Sequence, residues 1–84
     1  MGDYFLTKKK IKIYPNPTTG ILLIDGANNA GIKIYNSIGQ QINYISNKEK
    51  NSLQFDLTHL SKGLYFIQIK TKQEIIIEKI LLIN

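Results

Sequence analysis

The 84-residue sequence has no cysteine, no arginine, one histidine and two prolines. Each shortage removes a class of explanation. Without cysteine there is neither a disulfide nor a thiol ligand for structural zinc, so burial and strand pairing must hold the chain together. A cysteine-free domain serves equally well in cytosol, periplasm or medium, so this absence leaves the compartment open. Without arginine, the side chain best suited to bidentate phosphate and base contacts is missing. The formal net charge is +5, but Lys8, Lys9, Lys10 and Lys12 stand together near the start. Residues 13–84 hold seven lysines against five acids, a balance of +2. No nucleic-acid partner is expected.

Long apolar runs are also lacking. The longest aliphatic stretches are Ile75-Ile76-Ile77 and Ile80-Leu81-Leu82-Ile83, far short of the ~20 residues a bilayer-spanning helix needs. No transmembrane segment is expected. Lysines follow Met1-Gly2-Asp3-Tyr4-Phe5-Leu6-Thr7 where the apolar core of a secretory signal would sit. Residues 1–10 read as a linker or added leader, and residues 11–84 as one small domain.

The chemistry-bearing residues are scattered. His59 has no cysteine or clustered carboxylates with which to share a metal, and reads as an exposed turn residue. Asp25, Glu49, Asp56, Glu74 and Glu78 fall on different predicted elements, none paired for general acid and base work. Ser37, Ser46, Ser52 and Ser61 lack a glycine-flanked elbow, and no phosphate-cradling glycine loop leads into a helix. The sequence therefore offers no catalytic, cofactor-binding or metal-ligating residues. It reads as a chain that is not an enzyme and needs no cofactor.

What is present is isoleucine, sixteen times, mostly in short segments bounded by Gly, Asn, Ser and Pro. β-Branched side chains favour pleated, half-buried surfaces. Strands are predicted near 11–14, 21–25, 31–36, 41–46, 52–56, 64–70 and 75–83. Ile32/Ile34, Ile42/Tyr44, Leu53/Phe55 and Tyr65/Ile67/Ile69 repeat with period two, the pattern of strands with one face on a core. The opposite face carries Lys33, Asn43, Gln54, Gln68 and Lys70. The expected fold is all-β, an antiparallel sandwich of about seven strands.

The turns refine this picture. Ile13-Tyr14-Pro15-Asn16-Pro17-Thr18-Thr19-Gly20 runs straight into Ile21-Leu22-Leu23-Ile24-Asp25 and reads strand, rigid turn, strand. Pro15 and Pro17 fix φ and remove backbone donors, Asn16, Thr18 and Thr19 can bond neighbouring backbone, and Gly20 tolerates φ > 0. Asn36-Ser37-Ile38-Gly39 is expected to close a hairpin, with Gly39 supplying positive φ. Asn47 to Asn51 reads as a solvated loop, and Thr71 to Glu74 as the last hairpin. Asp56 to Gly63 is long enough for one helical turn, pinned to the core by Leu57 and Leu60. Tyr65, two residues past Gly63, is placed for a buried ring whose hydroxyl bonds to backbone. The final strand, Ile75 to Ile83, would offer unpaired backbone groups to a partner if it lay at a sheet edge.

Four pieces stand in order: Tyr14-Pro15-Asn16-Pro17; Ile34-Tyr35-Asn36-Ser37-Ile38-Gly39; Leu60-Ser61-Lys62-Gly63-Leu64-Tyr65; and the lysine-bearing apolar end Glu78-Lys79-Ile80-Leu81-Leu82-Ile83. In that spacing the chain resembles the type A C-terminal sorting domain of the type IX secretion system, over residues 13–83. The resemblance implies an Ig-like β-sandwich that acts as an address tag on a larger secreted cargo. It also implies passage through the periplasm, docking on the type IX translocon, and delivery to the cell surface or medium. A sortase-like peptidase would remove the domain at a point upstream of Ile13. Such a domain sits at the far end of a cargo carrying its own export signal, so the chain is expected to be a fragment with a new Met.

The residues expected to meet the export machinery are Lys79, Ile80, Leu81, Leu82 and Ile83, with Asn16 and Gly63 added. Pro15, Pro17, Gly20, Gly39 and Tyr65 are expected to be structural. Many members of the family end in a basic residue. This chain ends in Asn84, with Lys79 the nearest charge. The competing readings are an Ig- or fibronectin-like accessory module that binds carbohydrate or protein, and a purely structural spacer.

Overall fold

A computed structural model describes residues 11–27, 29–49 and 52–83; the leader assigned to residues 1–10 and the terminal Asn84 lie outside these. Eight strands follow in chain order: β1 (Lys12–Tyr14), β2 (Ile21–Asp25), β3 (Gly31–Asn36), β4 (Gln41–Ile42), β5 (Ile45–Glu49), β6 (Ser52–Asp56), β7 (Gly63–Lys70) and β8 (Ile75–Leu82). Sheet I has the order β1-β2-β6-β5 and sheet II the order β4-β3-β7-β8, and every pairing within them is antiparallel. Strands one, two, five and six therefore face strands three, four, seven and eight, which is the immunoglobulin-like arrangement.

Period-two alternation builds the core. Leu22 and Ile24 of β2 and Phe55 of β6 point inward from sheet I, against Ile34, Tyr65, Ile67, Ile69, Ile80 and Leu82 of sheet II, all of them buried. Loop residues Ala27 and Leu57 complete it. A one-residue slip in any of these strands would turn its apolar set to water, so the registers are strongly specified.

The eighth strand arises where the sequence pattern reads one strand over 41–46. The chain instead changes sheets between β4 and β5, and the cause lies in Tyr44. Its hydroxyl donates to the Ile32 carbonyl in sheet II at 2.8 Å, while its ring packs against Phe55 of sheet I with centroids 4.9 Å apart. One side chain thus ties both sheets where the backbone crosses. The solvated loop expected at 47–51 is largely strand, because Asn47 and Lys48 pair with Gln54 and Leu53; residues 50 and 51 lie outside the described residues.

Segment 56–63 holds a single hydrogen-bonded turn, in which the Leu60 N–H donates to the Leu57 carbonyl at 3.0 Å, and no longer helix. The Asp56 carboxylate accepts the Thr58 N–H at 2.9 Å and its hydroxyl at 2.6 Å, which opens this turn as an N-cap does. The Leu57 N–H goes to the Gly20 carbonyl at 2.7 Å. Leu57 and Leu60 nevertheless pack on the core as their spacing suggested. The Tyr65 ring is buried and its hydroxyl donates to the Ser61 carbonyl at 2.6 Å, the tyrosine-corner device at the start of the seventh strand.

Candidate recognition edge on the terminal strand

β8 pairs with β7 on one side only and forms an edge of sheet II. Along an antiparallel strand the N–H and C=O of one residue point to the same side and alternate with those of the next. Ile76, Glu78, Ile80 and Leu82 turn theirs toward β7, which leaves Ile75, Ile77, Lys79 and Leu81 facing outward. The sequence pattern leaves these groups open to a partner if the strand lies at an edge, which it does. The structure covers half of it.

The cover is the Pro-Asn-Pro-Thr segment. Both X-Pro bonds, Tyr14–Pro15 and Asn16–Pro17, are cis. Between them the Asn16 amide Nδ2 donates to the Lys79 carbonyl at 2.7 Å, and its Oδ1 accepts the Leu81 N–H at 3.1 Å. A carboxamide carries the same donor and acceptor pair as a peptide unit, so Asn16 stands in for a missing partner strand. Two residues on, the Thr18 N–H donates to the Leu81 carbonyl at 2.9 Å and the Ile83 N–H to the Thr18 carbonyl at 2.8 Å, which forms a parallel bridge between Thr18 and Leu82. Pro15 and Pro17 suit this path because neither has an N–H that would need a partner.

Thr18 anchors the clasp from beneath. It is the one buried polar residue among the described residues. Its hydroxyl donates to the Ile21 carbonyl at 2.6 Å and accepts the Gly20 N–H at 3.1 Å. Gly20 follows at φ +148°, and a Cβ there would lie 2.5 Å from Thr58 Cγ2, so the turn requires glycine. At the other hairpin Gly39 sits at φ +89°, while the Asn36 Oδ1 accepts the N–H groups of Ile38 and Gln40.

Of the residues read from sequence as contacts, Asn16, Lys79, Leu81, Leu82 and Ile83 meet along this edge, and Gly63 lies opposite Leu82 on β7. Their roles divide by alternation. Ile80 and Leu82 are buried in the core, whereas Lys79, Leu81 and Ile83 are exposed on the outer face. Sequence reasoning gave Thr18 no role beyond its turn. The available signal was that it sits between Pro17 and Gly20, too close to the rigid turn to swing away from the sheet.

Beyond the clasp, at Ile75 and Ile77, no hydrogen bond among the described residues reaches the outward backbone groups. Both side chains are exposed.

The polar groups elsewhere form local networks rather than a reactive cluster. On the outer face of sheet I, Tyr14 donates to Asp25 Oδ2 at 2.9 Å and Ser52 donates to Asp25 Oδ1. The Ser52 and Tyr14 hydroxyls hold the Asp25 carboxyl below its ordinary range, and the bond to Asp25 holds the Tyr14 phenol above its own. Donation from the Thr58 hydroxyl and N–H likewise lowers Asp56. His59 is exposed, its Nε2 3.3 Å from the Asn43 carbonyl. Among the described residues no three of His, Asp and Glu are grouped to hold a metal, and no helix is long and apolar enough to cross a membrane.

A family model described as "Secretion system C-terminal sorting domain" matches residues 12–84, from β1 past the end of β8. No curated protein matches the chain.

Proposed function

We propose how this chain works from one established premise: it belongs to the family of secretion system C-terminal sorting domains. As such it is a type IX secretion sorting signal, attached to a cargo, interacting with the type IX machinery and directing export to the cell surface or medium. The observation that carries the reading is the family match, which spans the whole sandwich together with its clasped terminal strand.

In the fuller proposal, the cargo reaches the periplasm by its own signal peptide, and there residues 11–84 fold as one domain, with residues 1–10 a leader or linker. The folded domain docks on the translocon. Its part is recognition, without catalysis. A sortase-like peptidase then cleaves upstream of Ile13, and the cargo is anchored to the surface or released. The proposed contacts are the exposed Lys79, Leu81 and Ile83 side chains. Ile80 and Leu82 contribute by fixing the strand, Asn16 by holding its edge, and Gly63 by its place beside Leu82. The clasp supports this assignment, since it presents that strand in one fixed position.

The test fuses the 84-residue chain to the C-terminus of a fluorescent protein that carries a periplasmic signal peptide. The fusion is expressed in a type IX-competent bacterium and in a mutant lacking the translocon. Fluorescence at the surface or in the medium only when the translocon is present is the expected result. Retention in the periplasm of both strains, with the domain folded by circular dichroism, would refute the proposal and favour an accessory binding module.

A further inference from the structure

The two outer faces of the sandwich differ in kind. Sheet I turns Asp25, Ser52, Gln54 and Asp56 outward, with Lys12 opposite Asp25. The strands of sheet II turn Lys33, Lys70 and Lys79 outward and, among the described residues, no carboxylate; by alternation Glu78 faces the other way, and Glu74 stands with Lys72 in the β7–β8 turn at the end of the face. Apolar exposure is equally one-sided. Eight large hydrophobic residues are exposed among the described residues, and six of them, Ile38, Leu64, Ile75, Ile77, Leu81 and Ile83, belong to sheet II or its connections.

The cross-strand registers arrange these side chains in rows. Tyr35, Phe66 and Lys79 form one row, and Lys33, Gln68 and Ile77 the next. Between the rows and the β3–β4 turn lies a groove of about 280 Å³ lined by Tyr35, Phe66, Gln68 and Ile77, with Ser37 and Gly39 at its end. Ile77 is 63% exposed at its rim. Contiguous apolar surface rimmed by polar groups marks an interaction site, and aromatic residues are enriched in interface cores.

We infer that the outer face of sheet II is the surface by which this domain seats on the secretion apparatus, and that the component it meets there is a protein presenting carboxylates around an apolar side chain that enters the groove. This inference rests on the proposed function and places its docking face. Charge complementarity selects the partner. Three lysines without an acid among them attract a carboxylate-bearing surface and repel a basic one. A second copy meeting this face with the same face would set lysine against lysine. A lipid surface is recognised by clusters of about four to eight basic residues, whereas the three here are spread over three strands around an apolar groove. The groove suits a protein side chain better than a flat bilayer.

The experiment uses the fluorescent fusion carrying Ile77→Glu, the double variant Lys33→Glu/Lys70→Glu, and Ile77→Thr as a milder change suited to a strand. Gln54→Glu on the outer face of sheet I is the control. The expected result is about a tenfold fall in exported fluorescence for Ile77→Glu and for the double variant, the effect of losing one good anchor. Ile77→Thr should show a smaller fall, Gln54→Glu none, and the thermal midpoints of all four should stay near that of the parent. Export of the parent with equal export of the face variants overturns the inference while leaving the sorting function intact. Failure of the parent itself overturns the sorting function instead. Two further measurements also count against the inference: a parent dimer that Ile77→Glu makes monomeric with export unchanged, or flotation with anionic phospholipid vesicles that the double lysine variant abolishes.

Discussion

Replacing Asn16 with alanine should loosen the terminal strand without touching the core. Two hydrogen bonds are lost, the 2.7 Å donation to the Lys79 carbonyl and the 3.1 Å acceptance from the Leu81 N–H. Both lie at the exposed surface, so water replaces the side chain and no buried group is orphaned. Each such bond is worth about 0.5 to 1.5 kcal/mol net, and at the exposed end of that range the pair amounts to about 1 to 2 kcal/mol. For a domain of this size that lowers the thermal midpoint by about 4 to 16 °C. Asn16→Asp separates the two bonds. It keeps the acceptor for Leu81 but, when ionised, cannot donate to the Lys79 carbonyl, so at neutral pH it should destabilise at least as much as removal of the donor alone. Circular dichroism melts give the global effect, and amide hydrogen exchange at Leu81 gives the local one. An unchanged midpoint together with unchanged Leu81 protection in Asn16→Ala would show that the side chain does not hold this edge.

Thr18→Val keeps the shape of the side chain but leaves the Ile21 carbonyl and the Gly20 N–H without their partner in a buried site. It should cost about 2 to 4 kcal/mol, and a urea titration showing a loss under about 0.5 kcal/mol would contradict this. Tyr65→Phe removes only the donation to the Ser61 carbonyl; the midpoint in urea should fall by the equivalent of about 1 kcal/mol with an unchanged slope. Asp25 and Asp56 ionise more readily in the folded chain than in the unfolded one, so their contribution is present above the ordinary carboxylate range near pH 4 and is lost as pH falls through their lower folded values. Melts from pH 6 down to pH 2 should show that loss, and Asp25→Asn/Asp56→Asn should flatten it; an acid limb identical to the parent would rule these two groups out as its source.

Strand positions and core faces were legible because they rest on period two. Ile34, Phe55, Tyr65, Ile67 and Ile69 read as inward-facing from alternation alone and are buried. The tyrosine corner was also readable, since Gly63 and Tyr65 fix its place at a strand start. The change of sheet at Tyr44 was not. It depends on a hydroxyl bonded to Ile32 and a ring packed on Phe55, both distant in sequence, and 41–46 alternates acceptably for either sheet. The turn after Asp56 was readable in part: the leucines three apart mark the one hydrogen-bonded turn from Leu57 to Leu60, which does not extend into a helix. For the candidate site, the sequence marked both the Pro-Asn-Pro segment and the terminal strand. That the first covers the backbone edge of the second follows only from the antiparallel order of the two sheets.

The clasp is also the part of the fold with the longest loop to close among the contacts described above. The hairpins β3–β4, β5–β6 and β7–β8 join neighbours in sequence, whereas the Asn16 to Leu81 contact spans 65 residues. Closing a loop of that length in a flexible chain carries an entropy cost of about 4 kcal/mol, which is recovered only after both sheets have brought the ends together. Contacts of this range stabilise the chain only after that closure, which places them late in folding. Weakening them therefore quickens unfolding more than it slows folding, and the lifetime of the folded signal is governed by the segment nearest its beginning gripping the segment nearest its end.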